Sequence, residues 1–273
     1  MTVETFDFNR FSRIHTEEHS SKGDQPKWYL GGKWYKADQM GYESLAEVVI
    51  SHLLKKSNIA DYVLYEPVII KHSDNESVGC VSNNFKEHHE QIIPFERLHR
   101  VYNGIGLANA LAKFPTAQEK IIYTVRFIEG IAGLKNVSQY ITTILELDAF
   151  FLNEDRHTNN LAVIRDEETH TFRFCPIFDN GLALLSDIRD YPLSGDIYES
   201  INNVKAKPFD MSFDEQLIAA EQLYGCCVEF SFTKHDVNSI ISEIRDIYDE
   251  HLLNRVESII YEQMRKYPIY FKK

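Results

Sequence analysis

The sequence predicts an α+β fold in two lobes, a small β-rich N-lobe over residues 1–85 and a larger, mainly helical C-lobe over residues 86–273. Three observations predict it. Strand-like runs crowd the first 85 residues, apolar spacing of helical period dominates beyond about residue 92, and the polar run Asn83 to Gln91 separates the two. At 273 residues and 44% hydrophobic content, the chain can build a core in each lobe.

The elements follow in chain order. Residues 26–37 read as two short strands joined by Gly31-Gly32, with aromatics on both sides of a hairpin turn. Glu43 to Lys56 reads as a helix, because Leu45, Val48, Val49 and Leu53 make one apolar face. Tyr62 to Ile70 and Ser77 to Ser82 are strand candidates. In the second half, Ile141, Ile144, Leu145 and Phe151 mark an apolar helix ending near Asn153. Leu161 to Ile164 and Thr171 to Cys175 are short strands around a loop at Asp166 to His170. The tail from His235 to Lys266 is helical.

Composition narrows the classes of function. The net charge of −12 argues against a broad nucleic-acid-binding face. No apolar run approaches the ~20 residues needed to span a bilayer. The first ten residues lack the basic and apolar regions of a signal peptide. Cys80, Cys175, Cys226 and Cys227 have no metal-ligand spacing and are expected as buried, reduced thiols. A cytoplasmic protein is expected.

The chemistry concentrates in Asn153-Glu-Asp-Arg-His-Thr-Asn-Asn160 and Ile177-Phe-Asp-Asn-Gly181. Asp155 and Asn160 stand five residues apart, and Asp179 precedes a glycine 24 residues after Asp155. Phosphoryl transfer needs a carboxylate to orient and deprotonate a hydroxyl, and oxygens to hold magnesium. Asp155 suits the first task, while Asn160 and Asp179 suit the second, with Gly181 giving backbone freedom beside the metal acid. Protein-kinase catalytic loops share this acid-to-amide spacing and the downstream acid.

The order here is Asp-Arg-His rather than His-Arg-Asp, and the metal acid lies in Phe-Asp-Asn-Gly. In both respects the chain resembles the HipA-like serine/threonine kinases, related in this region to phosphatidylinositol 3/4-kinases. Their Asn-x-Asp-Arg-His-x-x-Asn loop is matched by Asn153, Asp155, Arg156, His157 and Asn160. The four fixed residues of Asp-Arg-His-x-x-Asn arise by chance about once in 10^5 starts, which outweighs reading them as an ordinary polar turn. His157 is expected to support the loop by hydrogen bonding, and Arg156 to pair with an acid or a phosphate.

The resemblance extends upstream and implies a two-lobed, protein-kinase-like fold with the nucleotide in the cleft. A strand lysine followed by a helix glutamate matches Lys36 and Glu47, with Glu43 the competitor for the acid. The family's phosphate loop, Ser-x-x-Gly-x-Gln-x-Lys, is matched by Ser20, Gly23, Gln25 and Lys27. The resemblance implies self-phosphorylation of Ser20, with Ser21 as the alternative, and the added charge would repel a bound triphosphate. By the same analogy the adenine rests against Cys80 to Phe85.

The expected activity is ATP- and Mg2+-dependent transfer to a serine or threonine hydroxyl of a protein substrate. The resemblance also implies an antitoxin or regulatory protein as partner; from charge and hydropathy, neither nucleic acid nor membrane is expected to be bound directly. Nineteen residues precede Ser20, where full-length HipA toxins carry a further domain, so a short kinase-core form is expected. Two other readings compete. A phosphoinositide-type lipid kinase would want a basic membrane-facing segment, but Ser186 to Asp196 carries three acids and one arginine. A non-catalytic nucleotide-binding regulator is opposed by the intact Asp155, Asn160 and Asp179.

Overall fold

The computed structural model describes residues 3–11, 25–73 and 75–271. In chain order the elements are β1 (Thr5–Asp7), β2 (Lys27–Leu30), β3 (Lys33–Ala37), α1 (Glu43–Leu54), β4 (Tyr65–His72) and β5 (Asn75–Asn83). There follow β6 (Glu90–Pro94), α2 (Phe95–Asn103), α3 (Leu107–Leu111), α4 (Ala117–Ala132), α5 (Val137–Phe151), β7 (Ala162–Asp166) and β8 (Phe172–Phe174). The chain closes with α6 (Ile197–Asn203), α7 (Phe213–Tyr224), α8 (Lys234–Glu243), α9 (Glu250–Lys266) and a 3-10 turn at Pro268–Tyr270.

Packing groups these elements into two compact units. The first joins the chain up to Asn84 with Phe178–Val204 and the stretch from Glu229 onward; the second is Phe85–Ile177 with Lys205–Val228. The first boundary falls at the polar run that marks the end of the expected N-lobe. Two later stretches pack with the first unit, a long-range grouping that no local periodicity encodes.

In the first unit a five-stranded sheet runs β1-β4-β5-β3-β2. Its one parallel pair is β1 with β4, and the other neighbours are antiparallel. Gly31 and Gly32 have φ of 59° and 79°, the two positive values that a two-residue hairpin turn matched to strand twist requires. Phe8, Trp28, Tyr35, Ala37, Val68 and Ile70 form a core on one face, where Phe8 stacks on Trp28 with centroids 5.0 Å apart. Helix α1 packs on β3, β4 and β5.

The sequence marks one apolar face on α1, but eleven of its twelve residues are buried, all except His52. The reason is a second cover: α8 packs against it, and Tyr248, in the break before α9, lies 3.0 Å from Ser44 Oγ. That break divides the helical tail, and Asp249 restarts it by accepting the His251 N–H at 2.8 Å.

In the second unit α4, α5 and α7 pack together, and α4 opens on a reciprocal capping box of Thr116 and Glu119. A three-stranded antiparallel sheet, β6-β7-β8, lies beside them. Strand β6 takes the end of the polar run, and its Ile92 and Ile93 pair with Ile164 and Val163. Cys80 and Cys175 are buried as expected, whereas Cys226 is exposed. The chain leaves α7 through Gly225 at φ 80° and carries Cys226 to the surface. None of the four cysteines forms a disulfide.

Candidate active site

Strand alternation aims Lys36. Tyr35 and Ala37 belong to the aromatic core, so Lys36 between them projects to the opposite face. Its Nζ lies 2.6 Å from Glu47 Oε1 on α1 and 2.8 Å from Asp179 Oδ1. The Tyr65 ring lies beneath the ammonium, 5.1 Å to its centroid. Glu47 is fully buried, and its Oε2 accepts the Asn180 N–H at 2.9 Å. The helix acid therefore holds the strand lysine with one oxygen and the backbone beside Asp179 with the other.

Electrostatics fix the protonation of this cluster. Burial pulls the Lys36 ammonium toward neutrality, but Asp179 and Glu47 outweigh it and hold the group well above the ordinary lysine range. Burial pushes Glu47 above the usual carboxylate value; Lys36 opposes this and Asp179 reinforces it. Burial likewise raises the Cys80 thiol, which faces Lys36 across the β3–β5 pair, and keeps it protonated.

Glu43, the competitor for the acid role, is engaged elsewhere. Its carboxylate accepts backbone N–H groups of Gln39, Met40 and Gly41 at 3.2, 2.7 and 2.9 Å, closing the turn into α1. Gly181 acts differently from expectation. The left-handed backbone falls on Asp179, at φ 60°, whereas a Cβ at position 181 would stand 3.3 Å from Glu43 Cβ. The glycine supplies room for α1, and the strain sits on the acid itself. Downstream, Tyr42 OH donates to the Leu184 carbonyl at 2.8 Å, and the Tyr42 N–H to Ser186 O at 3.2 Å.

The second unit carries the other half of the motif, on the loop from α5 to β7. Helix α5 ends at Leu152 with φ 58°, and the loop then folds on its own polar groups. Asn153 Oδ1 accepts the Asp155 N–H at 3.2 Å, and Asn160 Nδ2 donates to the Asp155 carbonyl at 2.8 Å. Arg156 resolves toward an acid: its guanidinium grips Asp148 of α5 from Nε and Nη2 at 3.0 to 3.2 Å. Both partners are buried. Burial raises Asp148 above the usual range against the lowering by Arg156. His157 Nε2 lies 3.6 Å from Asp155 Oδ2.

One residue here has no sequence precursor. Lys207 Nζ donates to Asp155 Oδ1 at 3.2 Å, from the segment before α7, whose Gln216 holds the Lys207 carbonyl at 3.2 Å. A cavity of about 340 Å³ adjoins it, lined by Ala108, Leu111, Lys120, His157, Thr158 and Lys207 among others.

The structure thus brings Lys36, Glu47 and Asp179 together in the first unit, and Asp155, His157 and Asn160 with Lys207 in the second. Ser20 and Gly23, and the alternative Ser21, lie outside the described residues. Gln25 is half-buried, and its Nε2 has no hydrogen-bond partner among the described residues. Lys27 lies directly opposite Lys36 in the β2–β3 hairpin. The Phe85 carbonyl accepts from Arg173 Nη2 at 3.0 Å, and the Asn84 N–H donates to Gly32 O at 2.9 Å. These two backbone groups of the segment expected to face an adenine are therefore engaged within the chain.

Comparison with solved structures places the architecture. The chain is similar to the crystal structure of a Helicobacter pylori proinflammatory kinase, CtkA, with a TM-score of 0.61 at 14% identity, covering 96% of this chain and 94% of that one. The fold is kinase-like. It is the α+β kinase-like architecture that the sequence predicts, with the five-stranded sheet early and the helices late. HipA in a Shewanella oneidensis MR-1 complex with HipB and operator DNA also matches, with a TM-score of 0.44 at 12% identity, over 92% of this chain and 66% of that one. No protein-family model and no curated protein matches the sequence. Within the kinase-like fold, no helix among the described residues is long and apolar enough to cross a membrane.

Proposed function

We propose that this chain is an ATP- and Mg2+-dependent kinase that transfers the γ-phosphoryl group to a serine or threonine hydroxyl of a protein. The observation that carries this reading is the sharing of Lys36 between Glu47 and Asp179. Three residues assigned separately to the nucleotide lysine, its helix acid and the metal acid converge on a single ammonium. By sequence the lobes of the proposal are residues 1–85 and 86–273, with the catalytic and metal loops in the second stretch, although Phe178–Val204, which carries Asp179, packs with the first unit.

The donor set suits the cofactors. Asp179 offers a carboxylate, and Asn160 commits its Nδ2 to Asp155, which leaves the amide oxygen as its acceptor; hard oxygens of this kind suit magnesium. When bound, Mg2+ would neutralise phosphate charge. Lys36 would hold the α- and β-phosphates. Gln25, with an orphaned buried amide donor, suits a site that receives phosphate oxygens, together with Gly23 and Lys27.

Asp155 accepts the proton of the acceptor hydroxyl as its oxygen forms a bond to the γ-phosphorus. The bond from that phosphorus to the bridging oxygen breaks, and the electron pair leaves with ADP. Lys207, beside Asp155, orients the carboxylate through its 3.2 Å contact. His157 and Arg156 support the loop. Self-phosphorylation at Ser20 and a regulatory partner of antitoxin type belong to the same reading, on the strength of the sequence resemblance.

The test is transfer of labelled γ-phosphate from ATP to protein in the presence of Mg2+, comparing the wild type with Asp155→Ala. Loss of labelling with nucleotide binding retained supports the reading. Equal labelling by both proteins removes Asp155 from the reaction.

A further inference from the structure

We propose that His88, His89 and Glu168 form a binding site for a zinc-type divalent cation, separate from the residues assigned to phosphoryl transfer. One ligand atom from each of the three lies within 4.8 Å of the others. Two imidazoles and one carboxylate are a donor set suited to Zn2+, with a fourth position left for water. Magnesium, which prefers oxygen alone, is disfavoured by the same set.

The two loops that carry these residues are already tied together. His88 and His89 are the central residues of a turn closed by the Glu90 N–H donating to Glu87 O at 3.1 Å. A turn departs from strand alternation, so two successive imidazoles can face the same way, and their ring centroids are 5.0 Å apart. The ion pair of Glu90 and Arg173, at 2.7 Å, anchors the turn to β8. The Glu167 N–H donates to His89 O at 2.9 Å, bringing the β7–β8 loop alongside. Within that loop Asp166 Oδ1 accepts the Glu168 N–H at 2.8 Å and so fixes the backbone of the third ligand.

His89 carries the features of a metal-bound imidazole. Its Nε2 stands 3.4 Å from Asp166 Oδ2, an ion-pair distance that sets a carboxylate beside the imidazole, as is common around ligating histidines. Its Nδ1 is buried and has no hydrogen-bond partner among the described residues. A buried ring nitrogen without a partner is costly unless something coordinates it. His88 and Glu168 are exposed, so their side chains can swing inward to the separation of about 3.3 Å that a tetrahedral zinc imposes. A bound ion would staple the turn before β6 to the β7–β8 loop.

The experiment is isothermal titration of the full, tag-free chain with ZnCl2, run on wild type, His88→Ala, Glu168→Gln and Asp179→Asn. The last variant removes the carboxylate assigned to magnesium, so zinc taken up there is separated from zinc at this site. Expected are one equivalent bound by the wild type and by Asp179→Asn, and binding weakened at least about tenfold in His88→Ala and Glu168→Gln. Zinc should also raise the Tm of the wild type more than that of His88→Ala. The positions of His88 and Glu168 at the surface keep these variants folded, which far-UV circular dichroism checks. No binding, or an affinity that His88→Ala and Glu168→Gln leave unchanged, overturns the proposal.

Discussion

Lys36 Nζ and Asp179 Oδ1 lie 2.8 Å apart although 143 residues separate them in sequence. The contact makes the lysine the neutralising partner of two acids, one of which, Glu47, is fully buried. Removing the ammonium leaves Glu47 ionised in a site with no compensating charge, or forces it to take up a proton.

Lys36→Met should therefore destabilise the fold by about 3 kcal/mol near neutral pH, read as the free energy of urea unfolding. The loss should shrink toward pH about 5, because a Glu47 whose folded pKa is raised holds a proton there that the unfolded chain is releasing. A loss that does not change with pH would mean that removing Lys36 leaves the protonation of folded Glu47 unchanged across that range.

Asp155 and Lys207 give the second prediction. Asp155→Ala should lower the transfer rate by about 10^2- to 10^4-fold, the usual worth of a general base. Lys207→Ala should lower kcat by about 10^2-fold, while the affinity for MgATP stays within about threefold. Stopped-flow nucleotide binding together with steady-state transfer separates the two. A Lys207→Ala enzyme with wild-type kcat would leave that lysine a structural partner only.

The two residue clusters differ in how readable they were. Asp155, Asn160 and Asp179 are local signals, a spacing in one loop and a turn, and the helix and strand flanking them follow from apolar period. Lys36 and Glu47 were legible through the resemblance, which pairs a strand lysine with a helix glutamate but leaves Glu43 as a competitor; strand alternation and helix packing in the structure bring the pair to 2.6 Å. Lys207 was not. It reaches Asp155 only because α7 holds its backbone through Gln216, a tertiary relationship with no period or spacing in the sequence. The same holds for α1, whose polar-looking side is buried by elements from the far end of the chain. Arg156 was left between an acid and a phosphate because its partner Asp148 sits inside an apolar helix, where a carboxylate carries no motif.

That pair yields the third prediction. Arg156→Ala leaves Asp148 buried and unpaired, which should cost about 3 to 5 kcal/mol. Arg156→Lys keeps the charge but loses the two-armed grip seen at 3.0 and 3.1 Å from Nε and Nη2, and should recover only part of that stability. Thermal unfolding of the three proteins checks the order. Should Arg156→Ala unfold like the wild type while losing transfer, the arginine would act on substrate and not on the loop.

Glu146 of α5 supplies the last prediction, on pH. It is fully buried and accepts the N–H groups of Cys227 and Val228 at 2.9 and 2.7 Å. Burial pushes it up to about 7 from an ordinary 4.5, against the lowering by those two N–H groups. Between these values the native protein keeps a proton that the unfolded chain has released, so stability must fall as pH rises through the window. The group's contribution is fully present below the unfolded value and is lost once pH passes the folded one. From about pH 5 to pH 8 the wild type should lose roughly 2 kcal/mol more than Glu146→Gln, whose amide does not titrate. Urea unfolding of both proteins across that range measures the difference, and parallel curves would show that the carboxylate is ionised throughout, held by the two backbone donors.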